Sequence, residues 1–114
     1  MSFNFVERVE SLTPEQRLHF YELLAHNLTV SVRAVWSDAG ISDTEKVEQI
    51  KWINEVAHQV TAKIYVLRLC THEWTEADTW QVFEWAAKQN PNIKGHLAFA
   101  LKQSYNSVTS GTQN

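Results

Sequence analysis

The fold is decided by residues 43–70, which read DTEKVEQIKWINEVAHQVTAKIYVLRLC. Apolar residues recur there at alternating spacings of three and four, which places them on one face of an α-helix. They are Ile50, Ile53, Ala57, Val60, Ile64 and Leu67. Ser42 just before the stretch and Glu45 three residues later match a capping box, the signature of a helix N-terminus. The sequence therefore predicts one long helix over 43–70, spanning roughly 42 Å at about 1.5 Å per residue.

The last part of this helix, residues 64–70, differs from the rest because nearly every residue in it is apolar. A helix that is apolar on all sides is covered by several neighbours. We therefore expect 64–70 to run through the middle of the structure. The single cysteine of the chain, Cys70, falls in this segment and is interpreted as a small buried hydrophobe rather than a reactive thiol.

A second long helix is predicted immediately before the first, over residues 13–37. It begins at Thr13-Pro14-Glu15-Gln16, where Thr13 can cap the helix, Pro14 suits the first turn and Gln16 completes a capping box. The same three-four spacing follows, at Leu18, Tyr21, Ala25, Leu28, Val32 and Val35. Since the connection to the next helix is short, the two helices should form an antiparallel hairpin.

Shorter helices are predicted on both sides of this hairpin, because apolar residues again recur at helical spacings. They are a short helix carrying Phe5, Val9 and Leu12, a helix over 76–89 capped by Thr75, and a last helix that follows the break at Asn90-Pro91 and reaches Tyr105. Residues 106–114 contain one apolar residue, Val108, and are expected to be a disordered tail. The prediction is an all-α, four-helix assembly with a short N-terminal helix, in a single domain over 1–105.

Composition argues against several classes of protein. The chain has 114 residues, of which 44% are hydrophobic, and its net charge is -3 at pH 7. This balance predicts a globular protein without the basic footprint of a nucleic-acid-binding domain. No apolar run approaches the length of a membrane span, and the N-terminal residues do not match a signal peptide. We therefore predict a cytoplasmic protein that binds neither nucleic acid nor membranes.

Two groups of polar side chains are candidate metal sites. Glu55 and His58 form a Glu-x-x-His pair, which di-iron bundles use in two copies pointing inward. Here there is one copy, and its spacing places it off the apolar face of the long helix. His19, Glu22 and His26 form a stripe, but its histidines are separated by roughly 10 Å along the helix axis. Both groups are interpreted as exposed helix faces, the stripe with charge pairs such as Glu22–His26, and metal binding is kept as an alternative.

Tryptophan is abundant, with five residues in 114. So many indoles do not fit one small core, and large aromatic rings often anchor interfaces. We predict that Trp74, Trp80 and Trp85 bind a partner, and that Trp80 and Trp85 point to different sides of their helix. Because the hairpin helices are long and apolar for this chain length, we also predict a homodimer that buries part of 13–37 or of 64–70.

The leading functional prediction is a small helical protein-protein interaction or regulatory module. The alternative is a metal-binding or enzymatic bundle that uses Glu55 and His58, or His19, Glu22 and His26. The sequence has no Gly-rich phosphate loop, no Gly-x-Ser-x-Gly elbow and no Cys-x-x-Cys pair. It therefore predicts no cofactor and favours a protein without enzymatic activity, while leaving an enzyme open.

Overall fold

A computed structural model describes residues 4–69 and 75–111, and all regular structure within those ranges is helical. The elements are α1 (Phe5–Glu10), α2 (Pro14–Trp36), α3 (Asp43–Arg68), α4 (Glu76–Gln89), a 3-10 turn (Pro91–Ile93) and α5 (Lys94–Gly111). The predicted all-α assembly, with its long hairpin and short N-terminal helix, is confirmed. No stretch of the described helices is long and apolar enough to cross a lipid bilayer.

Local capping signals set where the helices begin. The Thr13 hydroxyl accepts a hydrogen bond from the backbone amide of Gln16 at 3.1 Å, and the Gln16 side-chain oxygen accepts one from the Thr13 amide at 3.0 Å. Thr75 heads α4 through a capping box of the same kind. Ser42 caps α3 by accepting from the amide of Glu45, but the Glu45 carboxylate turns away to other partners. These three helices therefore begin within a residue of their predicted starts, whereas the last begins at Lys94, after a 3-10 turn that follows the predicted break at Asn90-Pro91.

The α2 and α3 helices form the centre of the fold and pack along one another. The α5 helix packs on α2, α4 packs on α3, and α1 packs against α4. One cluster of buried apolar side chains joins all of these elements. Its largest fully buried members are Tyr21, Phe5, Phe20, Phe83, Leu24, Leu28 and Ile53.

The expectation that 64–70 runs through the middle of the structure is wrong for its described residues. Ile64 is buried, but Tyr65 is 60% exposed and Leu69 is 74% exposed. The reason is that α2 and α4 cover only part of the circumference of α3, so the apolar residues on its uncovered side remain in solvent. The α3 helix ends at Arg68, and Cys70 lies outside the described residues.

The buried face of α3 is also rotated from the predicted one. Val56, Gln49 and Lys63 are buried, whereas Ile50 and Ala57 are only half-buried. Since α3 lies between α2 and α4, its buried stripe widens toward α4 and takes in two polar side chains. Each of them has a partner, because a polar group without one would be costly to bury.

The predicted disordered tail does not begin at Asn106, because α5 continues as a helix to Gly111. Val108 is only 3% exposed and continues the buried face of Leu101 and Ser104 by one further turn. The Ser104 hydroxyl accepts a hydrogen bond from the Asn27 amide at 2.9 Å, which fixes α5 against α2. One buried apolar residue is enough to keep these last turns helical, because the preceding part of α5 already packs on α2. Residues 112–114 lie outside the described ranges.

Candidate functional site

The Glu55–His58 pair lies on the outer side of α3. Both side chains are exposed, whereas the buried face of the helix carries Ile53, Val56 and Val60. Over residues 4–69 and 75–111, no three His, Cys, Asp or Glu side chains gather into a group that could hold a metal ion. The pair therefore has no further ligand beside it in the part of the chain that is described.

The stripe of His19, Glu22 and His26 is arranged differently from the expected charge pairs. The Oε2 atom of Glu22 accepts a hydrogen bond from Nη2 of Arg68 at 2.7 Å, and its Oε1 atom lies 3.9 Å from Nδ1 of His19. His26 is exposed. The antiparallel hairpin places the end of α3 beside the first half of α2, so Glu22 bridges the two helices instead of pairing with His26.

Trp80 and Trp85 lie on different sides of α4, as their spacing predicts. The Trp80 ring stacks on Phe5 of α1, with ring centroids 5.6 Å apart and planes 19° from parallel. The Trp85 ring meets Trp52 of α3 edge-to-face at 5.0 Å and is 44% exposed. The predicted partner-binding tryptophans therefore do not form one surface. Trp74, the third of that set, lies outside the described residues.

A groove runs beside Trp80, between α4, the start of α1 and the first turns of α5. It exists because α5 packs on α2, so α4 and α5 are joined by the 3-10 turn without packing closely on each other. Its volume is about 1160 Å³, and it is open to solvent along one side. The floor consists of apolar side chains that also belong to the core, namely Phe5, Trp80, Phe83 and Leu97.

The three aromatic rings of the groove floor all contact one another. The Phe83 ring lies 6.1 Å from the Trp80 ring with planes 16° apart, and 5.9 Å from the Phe5 ring with planes 34° apart. Phe5 and Phe83 are each 2% exposed, while Trp80 is half-buried. Trp80 therefore presents part of its ring to the groove, and the two phenylalanines pack against that ring.

The rim of the groove carries small residues and charges. Ala87 on α4 and Gly95 on α5 both line the groove. Lys88 in the last turn of α4 and Lys94 at the start of α5 place two positive charges there, against the single negative charge of Glu84. On a chain whose net charge is -3, this rim is a locally basic spot beside an apolar floor.

A separate cluster of charged groups is buried where α4 begins. Glu76, the first residue of α4, accepts a hydrogen bond from the Tyr21 hydroxyl at 3.1 Å and lies 3.0 Å from Nζ of Lys63. Its other oxygen lies 3.3 Å from Nη1 of Arg17. Lys63 and Glu76 are 2% and 4% exposed. One carboxylate thus joins α4 to both helices of the hairpin.

Electrostatics keep Tyr21 in its neutral form. Burial, and next the negative charge of Glu76, raise the pKa of Tyr21 well above its ordinary value of 10.0, although a hydrogen bond with Thr79 acts in the opposite direction. A hydroxyl with so high a pKa is a hydrogen-bond donor and not a base at neutral pH. Because none of these side chains lines the groove, we interpret the cluster as a structural anchor for α4.

Sequence reasoning missed both the groove and this buried cluster. One signal for the cluster was present, since Lys63 lies between Val60 and Ile64 near the apolar face of the long helix. A lysine there must either reach solvent or find a carboxylate. Which carboxylate it meets depends on the packing of α4, which the spacing of residues within one helix does not reveal.

Comparisons with protein-family models, with curated proteins and with solved structures found no match to this chain.

Proposed function

We propose that this protein is a helical protein-protein interaction module that binds a partner in the groove between α1, α4 and α5. The groove itself is the observation that carries the proposal. It combines an apolar floor, a half-buried tryptophan and a charged rim, which is the usual anatomy of an interface with a desolvated centre. A tryptophan at its centre is the type of residue that most often dominates binding energy.

The groove suits a protein segment better than a small molecule. Small-molecule sites are usually about 300–1,000 Å³, enclose most of the ligand and direct a few polar groups toward it. This groove is larger, at about 1160 Å³, and is open along one side. Its charged side chains, Glu84, Lys88 and Lys94, are all exposed. A partner that lies along the groove can cover the floor and still reach these charges.

Trp80 is the partner-binding residue in this proposal, but it is a poor first target for mutation. Its ring packs on Phe5 and Phe83, so alanine would weaken the core together with any binding. Gly95 is a better target, because a Cβ atom added there meets nothing within 4 Å. A longer side chain at Gly95 would occupy the groove and leave the core untouched.

The test compares wild type with Gly95→Gln and Gly95→Ala in cells of the source organism. Each tagged protein is purified under identical conditions, and co-purifying proteins are quantified by mass spectrometry. A partner that is retained by wild type and by Gly95→Ala but lost with Gly95→Gln would support the proposal. Equal retention by all the variants would refute it, provided that their helical circular dichroism is the same.

We also propose a homodimer through the outer side of the C-terminal end of α3. Tyr65 and Leu69 lie one turn apart there and are exposed, and an isologous contact between two copies would bury both pairs. Sedimentation velocity at tens of micromolar should give a dimer for wild type and a monomer for Tyr65→Lys/Leu69→Lys. A wild-type monomer at that concentration would refute the dimer without affecting the groove.

A further inference from the structure

We infer that the groove receives an amphipathic α-helix of another protein, with acidic side chains flanking its apolar face. This inference rests on the proposed function and adds the conformation and charge of the partner segment. It is carried by the backbone of the groove walls, by the small residues that line them, and by the charges on the rim.

The walls of the groove favour a helical partner because, within the described residues, they offer no strand edge to an extended one. They are formed by α1, α4, the 3-10 turn and α5, whose backbone groups are largely bonded within their own helices. An extended peptide gains its affinity by adding a strand to a sheet edge, and no strand is present in residues 4–69 and 75–111. A helix satisfies its own backbone and needs only an apolar surface.

The small residues of the groove allow a helix to approach closely. Ala87 lies on the α4 wall, and Gly95 and Ala98 lie on the α5 wall. Gly95 is required neither by its backbone conformation nor by packing within the chain, since its φ is not left-handed and its Cβ position is empty. Glycine weakens a helix relative to alanine. A glycine facing this groove is explained if a partner occupies the space that a side chain would fill.

The rim favours acidic groups on the partner. Lys94 stands in the first turn of α5, where the positive end of the helix dipole disfavours a lysine, and that turn contains no acidic residue. Lys88, in the last turn of α4, adds a second positive charge to the rim. Within the described residues, neither lysine has a carboxylate within 4 Å. Carboxylates beside the apolar face of a bound helix would supply these missing partners.

A second copy of this chain fits the groove less well than another protein does. Helix-in-groove binding needs apolar side chains at i, i+3 or i+4, and i+7 on one free face. The large exposed apolar residues of the described chain are instead scattered over its four long helices, at Val30, Trp36, Val47, Tyr65, Leu69, Trp85 and Phe99. None of the helices in residues 4–69 and 75–111 therefore presents the required stripe.

The test is a selection of random peptides displayed on phage. Peptides of about 16 residues, long enough for roughly four helical turns, are selected on immobilised wild-type protein. An excess of soluble Gly95→Gln protein competes away peptides that bind elsewhere. Enriched peptides are then synthesised and titrated by fluorescence anisotropy against wild type, Gly95→Ala, Gly95→Gln and the charge-reversed Lys88→Glu/Lys94→Glu.

We expect the enriched peptides to have apolar residues at helical spacing, flanked by Asp or Glu. Their helical circular dichroism should increase on binding. These peptides should bind Gly95→Ala somewhat more weakly than wild type, because its methyl group takes part of the space that the partner fills. They should bind the charge-reversed variant about three- to tenfold more weakly than wild type, with this second difference shrinking at high salt. Groove-dependent peptides that are basic or proline-rich would overturn the inference and leave the proposed function standing. No enrichment above the Gly95→Gln competitor would overturn both. Wild-type self-association that Gly95→Gln abolishes would show the occupant to be a second copy.

Discussion

Replacing Glu76 with alanine would remove the carboxylate on which three side chains converge. Lys63 Nζ lies 3.0 Å from it, the Tyr21 hydroxyl donates to it at 3.1 Å, and Arg17 lies 3.3 Å away. Arg17 keeps a 26% exposed side chain and can turn toward water. Lys63 is 2% exposed and cannot do so without moving α2, α3 or α4. The main consequence of Glu76→Ala is therefore a buried ammonium without its partner.

The size of the effect follows from that geometry. Removing one partner of a buried ion pair costs about 3–5 kcal/mol, because the remaining charge stays desolvated. The lost acceptor for Tyr21 contributes to the same loss, whereas the favourable position of a carboxylate in the first turn of α4 accounts for only about 0.3–1 kcal/mol. Against a total stability of about 5–15 kcal/mol, we expect Glu76→Ala to lower Tm by roughly 10–20 °C.

The assay is urea unfolding followed by helical circular dichroism, with Glu48→Ala as the matched control. Glu48 is an exposed glutamate on α3, and its loss should change the free energy of unfolding by at most about 0.5 kcal/mol. The double variant Lys63→Met/Glu76→Leu should recover most of the loss, since apolar residues often replace a buried ion pair without net cost. A Glu76→Ala loss no greater than that of Glu48→Ala would refute the assignment of Glu76 as the anchor of α4.

Other predictions concern pH and the last turns of α5. The raised pKa of Tyr21 means that the unfolded chain ionises this phenol first, near pH 10.0. Stability should therefore fall above that pH by up to about 1.4 kcal/mol per pH unit, a slope that Tyr21→Phe removes. Val108→Ala should cost about 2 kcal/mol in urea unfolding, while Ser107→Ala at an exposed neighbour should cost almost nothing. Hydrogen bonds from Gln49 and Asn92 lower the pKa of Glu45, so a carboxyl-directed NMR titration should show that pKa rising in Asn92→Ala.

Each of these predictions has a result that would contradict it. An unchanged alkaline slope in Tyr21→Phe would assign that slope to other groups. Equal stabilities of Val108→Ala and Ser107→Ala would mean that the end of α5 does not contribute to the core. The lowered pKa of Glu45 implies that its favourable contribution is present at neutral pH and is lost as the solution is acidified through that pKa. A Glu45 pKa that Asn92→Ala leaves unchanged would contradict the bridge from α3 to the 3-10 turn.

The helices and their starting points were predictable from the sequence because the signals involved are local. The capping box at Thr13 and Gln16, the cap at Thr75 and the break at Asn90-Pro91 each depend on residues within one turn. The alternation of apolar spacings likewise needs only the geometry of a single helix. The end of α5 was harder, because the burial of Val108 depends on its packing in the shared core and not on any pattern of its own segment.

Which side of each helix is buried was only partly predictable. The exposure of Tyr65 and Leu69, and the burial of Lys63, depend on where neighbouring helices lie around α3. An apolar residue can remain exposed where no neighbouring helix covers it, but a buried lysine must have a carboxylate as its partner. Local periodicity describes one helix at a time and therefore could not specify either outcome.

The sequence by itself determined an all-α chain, a long hairpin and opposite directions for Trp80 and Trp85. The tertiary structure alone decided that α5 packs on α2 and leaves a groove beside α4, and that Glu76 meets Lys63. The physical reason is the range of the interactions. Hydrogen bonds within a helix and its caps join residues at most a few positions apart, whereas the groove and the ion pair bring together residues from separate helices, whose meeting depends on how the whole core packs.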